Sequence, residues 1–295
     1  MDEVIAPARL GETLLGSGRR LAWAEWGRED GAPVVFCPGA ATSRSLGFGA
    51  QAVEELGVRL VSIDRPGLGA SDPAPDRTLL DWAGDVRDLT RDRGLARPAV
   101  VGFSQGAPFA LACAAAGLAS AIAVVSGSDE LAHPAFADAL DPMLRSIVDA
   151  ARTNPASAQE GFASMRADVI WSMVVDMSGD GDRAIYTAPA FARAFRRALD
   201  EGFAQGAEGY ARDAVLAMAP WPFDVAGITV PVDLWYGAHD ASPVHSPDHG
   251  ETLARRISTA RRHVLSEAGG ALLWTHSATI LRSLVDRAAA EASAR

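Results

Sequence analysis

The pentapeptide Gly102-Phe103-Ser104-Gln105-Gly106 constrains this chain more than any other stretch. A short apolar run, residues 98–101, leads into it, and an alanine-rich helical run over 107–116 follows with no spacer. That order predicts strand, sharp turn and helix. Such a turn forces its central residue into a strained backbone conformation, so the residues two before and two after must be very small, and both are glycine. Ser104 would then stand at a helix N-terminus, where the helix dipole and the free N–H of Gln105 favour negative charge. A serine in that setting is a candidate nucleophile.

The rest of the chain supplies a frame for the turn. Residues 10–15 and 20–26, joined through Gly16-Ser17-Gly18, read as an edge hairpin. Residues 34–37, 59–63, 121–125 and 230–236 read as buried strands, and helical runs over 45–56 and 79–93 separate the earlier ones. Alternating strands and helices predict parallel pairing with right-handed crossovers. From about 129 to 223 the pattern becomes helical, with helices expected over 135–151, 157–177 and 189–206, and with Ser157 and Glu160 at capping-box spacing. The alternating acids of Ser178-Gly179-Asp180-Gly181-Asp182 lack the distal ligands of a calcium loop and read as a solvated turn. Within the helical portion Trp171, Met173 and Trp221 are candidates for substrate contact, which points to a hydrophobic or aromatic substrate.

A net charge of −10 disfavours phosphate backbones and anionic lipid, so neither nucleic acid nor membrane is expected as a partner; a small apolar molecule is, and oligomeric state is left open. No apolar run reaches the ~20 residues of a membrane span. The opening Met1-Asp2-Glu3 lacks the basic and apolar regions of a signal peptide, so a cytoplasmic location is expected. Cys37 and Cys113 fall in apolar segments, where cysteine serves as a small hydrophobe. No metal or organic cofactor is expected. The segment from Asp64 to Ser71 is not a phosphate loop, because no lysine follows and G-x-G-x-x-G is missing.

The turn around Ser104 resembles the nucleophile elbow of the α/β-hydrolase fold, and three further segments match in the order that superfamily requires: residues 34–40, residues 64–71, and Tyr236-Gly237-Ala238-His239-Asp240. The resemblance implies an α/β fold with a mostly parallel eight-stranded sheet flanked by helices. Residues 1–128 and 224–295 would form the core and 129–223 a helical cap. It also implies a capped serine esterase or lactonase, with backbone N–H groups of Ala40 and Gln105 as the oxyanion hole and Asp240 as the acid. Asp129 and Glu130, just after the sixth strand, are the alternative acid. Amidase, thioesterase and carbon–carbon hydrolase activities share this machinery and stay open, whereas serine at the elbow argues against chemistry that uses a carboxylate nucleophile.

Serine chemistry needs a base within hydrogen-bond reach. The resemblance puts that histidine at position 271, in Gly270-Ala271-Leu272-Leu273, and the residue there is alanine. His276 lies five residues further along a helical run, ~7.5 Å of rise and ~140° of rotation away. His133, His239, His245, His249 and His263 read as surface or structural residues. The favoured expectation is therefore a serine hydrolase lacking its base at position 271. The alternative is a non-catalytic small-molecule binder on the same fold.

Overall fold

The computed structural model describes residues 4–293. Its eight strands are β1 (Arg9–Leu14), β2 (Arg20–Gly27), β3 (Ala32–Cys37), β4 (Val58–Ile63), β5 (Ala99–Phe103), β6 (Ile122–Val125), β7 (Val232–Gly237) and β8 (Ala260–Leu265). They form one sheet in the order β1-β2-β4-β3-β5-β6-β7-β8. The β1–β2 and β2–β4 pairs are antiparallel and all others are parallel. This is the α/β architecture expected. Every residue of β4, β5, β6 and β7 is buried, as largely apolar strands covered on both faces should be.

Among the described residues twelve α-helices accompany the sheet. Those of the sheet layers are α1 (Ala50–Glu55), α2 (Leu79–Asp92) and α3 (Ala107–Ala115). Six more, α4 (Pro142–Thr153), α5 (Pro155–Gly161), α6 (Ala167–Asp176), α7 (Asp180–Tyr186), α8 (Pro189–Gly202) and α9 (Glu208–Met218), lie in sequence between β6 and β7. The chain ends with α10 (Glu251–Arg256), α11 (Leu272–Thr275) and α12 (Ser277–Ser293). One apolar cluster joins α2 and α3 to the sheet, with Trp82 meeting Phe109 edge-on at 5.9 Å. A second joins α12 and the α6–α9 aromatics to Phe36, Val101 and Trp235.

Helix boundaries within the six-helix segment differ from expectation for local reasons. α4 begins at Pro142, not residue 135, because the Asp141 carboxylate accepts from the N–H groups of Met143 and Leu144 and proline suits the first helical position. The helix expected over 157–177 is two: Asn154, not Ser157, caps α5, and the chain breaks over residues 162–166 before α6. The helix expected to reach 206 ends at Gly202, and α9 follows it as a helix beyond those expected from the sequence. Residues 178–182 are not a solvated turn; Asp180 opens α7 and the Asp182 side chain is buried.

Candidate active site

The parallel register aligns the C-terminal ends of β3, β5, β6 and β7, so the loops leaving Cys37, Phe103, Val125 and Gly237 converge. Crevices outside these strand ends are where open α/β sheets build sites. Ser104 has φ of 51°, the left-handed region that a side chain rarely adopts. The strain is held by close packing on either side. A Cβ on Gly106 would lie 2.0 Å from the Cys37 carbonyl oxygen, and one on Gly102 would lie 2.8 Å from Ala107 Cα and Ala110 Cβ. Larger residues would push α3 off the sheet.

Ser104 Oγ lies 2.8 Å from Nε2 of His245, and Nδ1 of the same ring lies 2.7 Å from Asp240 Oδ2. A serine, an imidazole and a carboxylate are thus linked in one chain of hydrogen bonds. The imidazole comes from the loop after β7, which doubles back through local bonds. The Ser242 N–H donates to Asp240 Oδ1 at 3.1 Å, and the His245 N–H donates to the Ser242 carbonyl at 3.3 Å. The next residue is pinned from behind, with the Ser246 N–H donating to the Gly127 carbonyl at 3.0 Å and Ser246 Oγ accepting from Gly250 N–H at 2.8 Å.

Burial alone would raise the Asp240 pKa. The charge and hydrogen bond of His245, the Ser242 N–H and the charge of His249 outweigh it, and the carboxyl is held below its ordinary value. An ionised carboxylate against Nδ1 fixes the tautomer that leaves Nε2 free to accept a proton.

The expectation that no imidazole reaches Ser104 is corrected by this geometry. His245 had been read as a surface or structural residue, yet it is buried and joins Ser104 to Asp240, while among the described residues no other histidine hydrogen-bonds either one. Ala271 is 1% exposed and belongs to the core. Its N–H donates to Asp182 Oδ1 at 3.0 Å, and the Gly270 N–H donates to Asp182 Oδ2 at 2.6 Å. Where an imidazole was expected, the loop after β8 instead docks a buried carboxylate from α7. The signal for His245 lay in Asp240-Ala241-Ser242-Pro243-Val244-His245, since Asp-x-Ser-Pro favours a turn that returns the chain to the carboxylate.

Ala40 and Gln105 flank Ser104 on the wall of a shared cavity. The loop carrying Ala40 is held by Arg65, which is fully buried. Its guanidinium donates to the carbonyls of Pro38 at 2.6 Å and Gly39 at 2.9 Å, and to Asp213 Oδ2 at 2.5 Å. In a planar trans peptide the C=O and the following N–H point in opposite directions. Fixing the Gly39 carbonyl toward Arg65 therefore turns the Ala40 N–H away from it. Asp64 ties loops in the same region, accepting from the N–H groups of Arg44 at 2.5 Å and Ala70 at 2.9 Å.

The cavity has a volume of about 360 Å³ and runs from Ser104 and His245 to side chains of α4, α6, α8 and α9. Met173 lines it. Trp171 and Trp221 do not: Trp171 packs edge-on against Phe195 with Arg196 over its ring, and Trp221 stacks on Phe223 while its backbone N–H donates to Glu130 Oε1 at 2.8 Å. Asp129 and Glu130 also sit apart from the imidazole. Asp129 accepts from the Glu130 N–H and lies 3.4 Å from Ser246 Oγ, and Glu130 pairs with Arg256 at 2.6 Å. Cys37 and Cys113 are buried free thiols, and burial pushes Cys37 up to about 12.

Comparison with known proteins agrees with this architecture. An esterase from Rhodococcus sp. ECU1013 superposes with a TM-score of 0.64 at 19% identity, covering 94% of this chain and 98% of that one. The enol-lactonase from Burkholderia xenovorans LB400 gives 0.66 at 21% identity over 94% and 99%. A bromoperoxidase from Bacillus anthracis gives 0.69 at 16% identity over 95% and 99%. In sequence, a proline iminopeptidase from Neisseria gonorrhoeae is 33% identical over 121 residues, which is 39% of this chain and 38% of that protein's length. The model of the alpha/beta hydrolase family matches residues 34–290. On that match and this sheet, the chain belongs to the alpha/beta hydrolase family.

Proposed function

We propose that this chain is a serine hydrolase with its base in place, cleaving an ester or lactone of a moderately sized apolar molecule. The observation that carries the reading is the unbroken contact from Ser104 Oγ through His245 to Asp240, beside the backbone of Ala40 and Gln105. His245 Nε2 takes the Ser104 proton as Oγ bonds to the carbonyl carbon. The tetrahedral oxyanion accepts hydrogen bonds from the N–H groups of Ala40 and Gln105. The proton then passes from Nε2 to the leaving oxygen as the carbon–oxygen bond breaks, and water, deprotonated by the same nitrogen, releases the acyl group from Ser104. Asp240 stabilises the imidazolium without taking its proton.

Residues 129–223 act in this reading as a cap over the reacting atoms, and the apolar cavity supports an apolar substrate. A cytoplasmic location is part of the proposal, resting on the two unpaired cysteines. An amide is the second reading, favoured by the partial likeness to proline iminopeptidases. Turnover of p-nitrophenyl esters, lactones and prolyl p-nitroanilide tests both. Ester turnover that falls by ~10⁴-fold or more in Ser104→Ala supports the proposal; turnover confined to the anilide replaces it with the amide reading, and no turnover together with no covalent labelling of Ser104 by an alkyl fluorophosphonate sinks both.

A further inference from the structure

Beyond Met1, every methionine of the chain (Met143, Met165, Met173, Met177 and Met218) lines the cavity above Ser104. They come from α4, the break before α6, α6 itself, its C-terminal end and α9, so the wall is assembled from separate segments. A methionine side chain has three soft torsions and a polarizable sulfur, so such a wall re-forms around guests of different shape. Met143, 75% exposed, marks the open end.

The charge around this wall is one-sided. Asp141, Asp182 and Asp240 border the cavity, and among the described residues no arginine does. Two arginines are engaged elsewhere: Arg65 is committed to Asp213 and two carbonyls, and Arg196 lies over the ring of Trp171. An anionic group entering the cavity would lose water, gain no cation and face carboxylates.

We infer that the site selects uncharged substrates whose acyl portion is a flexible apolar chain lodged against the methionine wall, and that it rejects acyl groups ending in a carboxylate or phosphate. This rests on the serine hydrolase reading above. A cavity of about 360 Å³ holds roughly a dozen units of ~30 Å³, the share of one water in the liquid, which bounds the chain together with its carbonyl.

The test measures kcat/KM for p-nitrophenyl esters with acyl chains of two to twelve carbons, and for the p-nitrophenyl ester of a six-carbon diacid with its far carboxyl free or capped as the methyl ester. The expected result is a rise of up to about fourfold per added methylene, levelling near eight to ten carbons where the chain passes Met143. The capped diester should be cleaved at least ~100-fold better than the free acid. Met173→Arg should narrow or invert that preference, and Met165→Leu with Met173→Leu should narrow the range of acyl lengths. Equal cleavage of free and capped diacid, or no dependence on chain length, overturns the inference.

Labelling of Ser104 by an alkyl fluorophosphonate, run on every variant, separates the two levels. If Ser104 labels but the ester preferences are absent, the substrate class is wrong and the catalytic reading stands. If Ser104 of the unaltered protein does not label, the catalytic reading falls and this inference with it.

Discussion

Exchanging the imidazole between its observed and its expected place gives the sharpest test of the site. His245→Asn retains an N–H donor positioned like Nδ1, so Asp240 keeps a partner and is not left as an uncompensated buried charge, which would cost several kcal/mol by itself. What is lost is Nε2, the only base within 2.8 Å of Ser104 Oγ among the described residues. Loss of a triad base lowers kcat by ~10⁴ to 10⁶, or about 5–8 kcal/mol of barrier at 1.36 kcal/mol per decade. Ala271→His in the unaltered background should give no gain. Position 271 is packed in the core and its backbone is held by Asp182, so an imidazole there overpacks the core by about 1–3 kcal/mol. The double variant should remain as inactive as His245→Asn. The assay is steady-state release of p-nitrophenol, with circular dichroism and thermal melts to show that each variant is folded. Retention of more than about a tenth of kcat in His245→Asn, or recovery when Ala271→His is added, would refute the placement of the base.

Arg65→Lys, which can reach only one of the two carbonyls held at 2.6 and 2.9 Å, should lower kcat by ~10- to 100-fold with KM little changed, read from the same ester kinetics. Burial raises the Asp129 pKa from 3.8 to about 6. A raised acid pKa means stability complete below 3.8 and lost as pH climbs through 6, worth about 3 kcal/mol for the ~2-unit shift. Asp129→Asn should accordingly raise Tm at pH 8 and gain nothing near pH 4; an equal shift at both pH values would contradict that sign. Asp182→Ala leaves the Gly270 and Ala271 N–H groups without their acceptor, at about 1–3 kcal/mol each, and should speed proteolytic cleavage within the six-helix segment before it lowers global stability.

The parallel strands were legible because buried strands are written as runs such as Val232–Gly237, and the elbow because two glycines at fixed spacing around a serine answer a steric demand visible in sequence. His245 was not legible by the same route. Its partner Ser104 is 141 residues away, and its approach depends on a turn whose direction is set by Asp240, Ser242 and the Gly127 carbonyl together. The resemblance points to position 271, where the sequence holds no imidazole. The six-helix segment was misread at its ends because Pro142 and Pro155 start helices at positions that apolar periodicity does not mark. Asp182 looked like one of several surface acids, since nothing local to residues 178–182 records the two N–H groups that meet it.

Asp240 and His245 share one short loop, whose turns set the spacing between them, and the segment after β8 braces its start, with the His239 N–H donating to the Ala268 carbonyl at 2.9 Å. The loop after β8 is thereby relieved of proton transfer and given to Asp182 as an anchorage. In the proposed reading the proton-moving residues and the anchorage of α7 are thus carried by two different loops, so the sequence of the six-helix segment can vary without replacing the groups that move the proton.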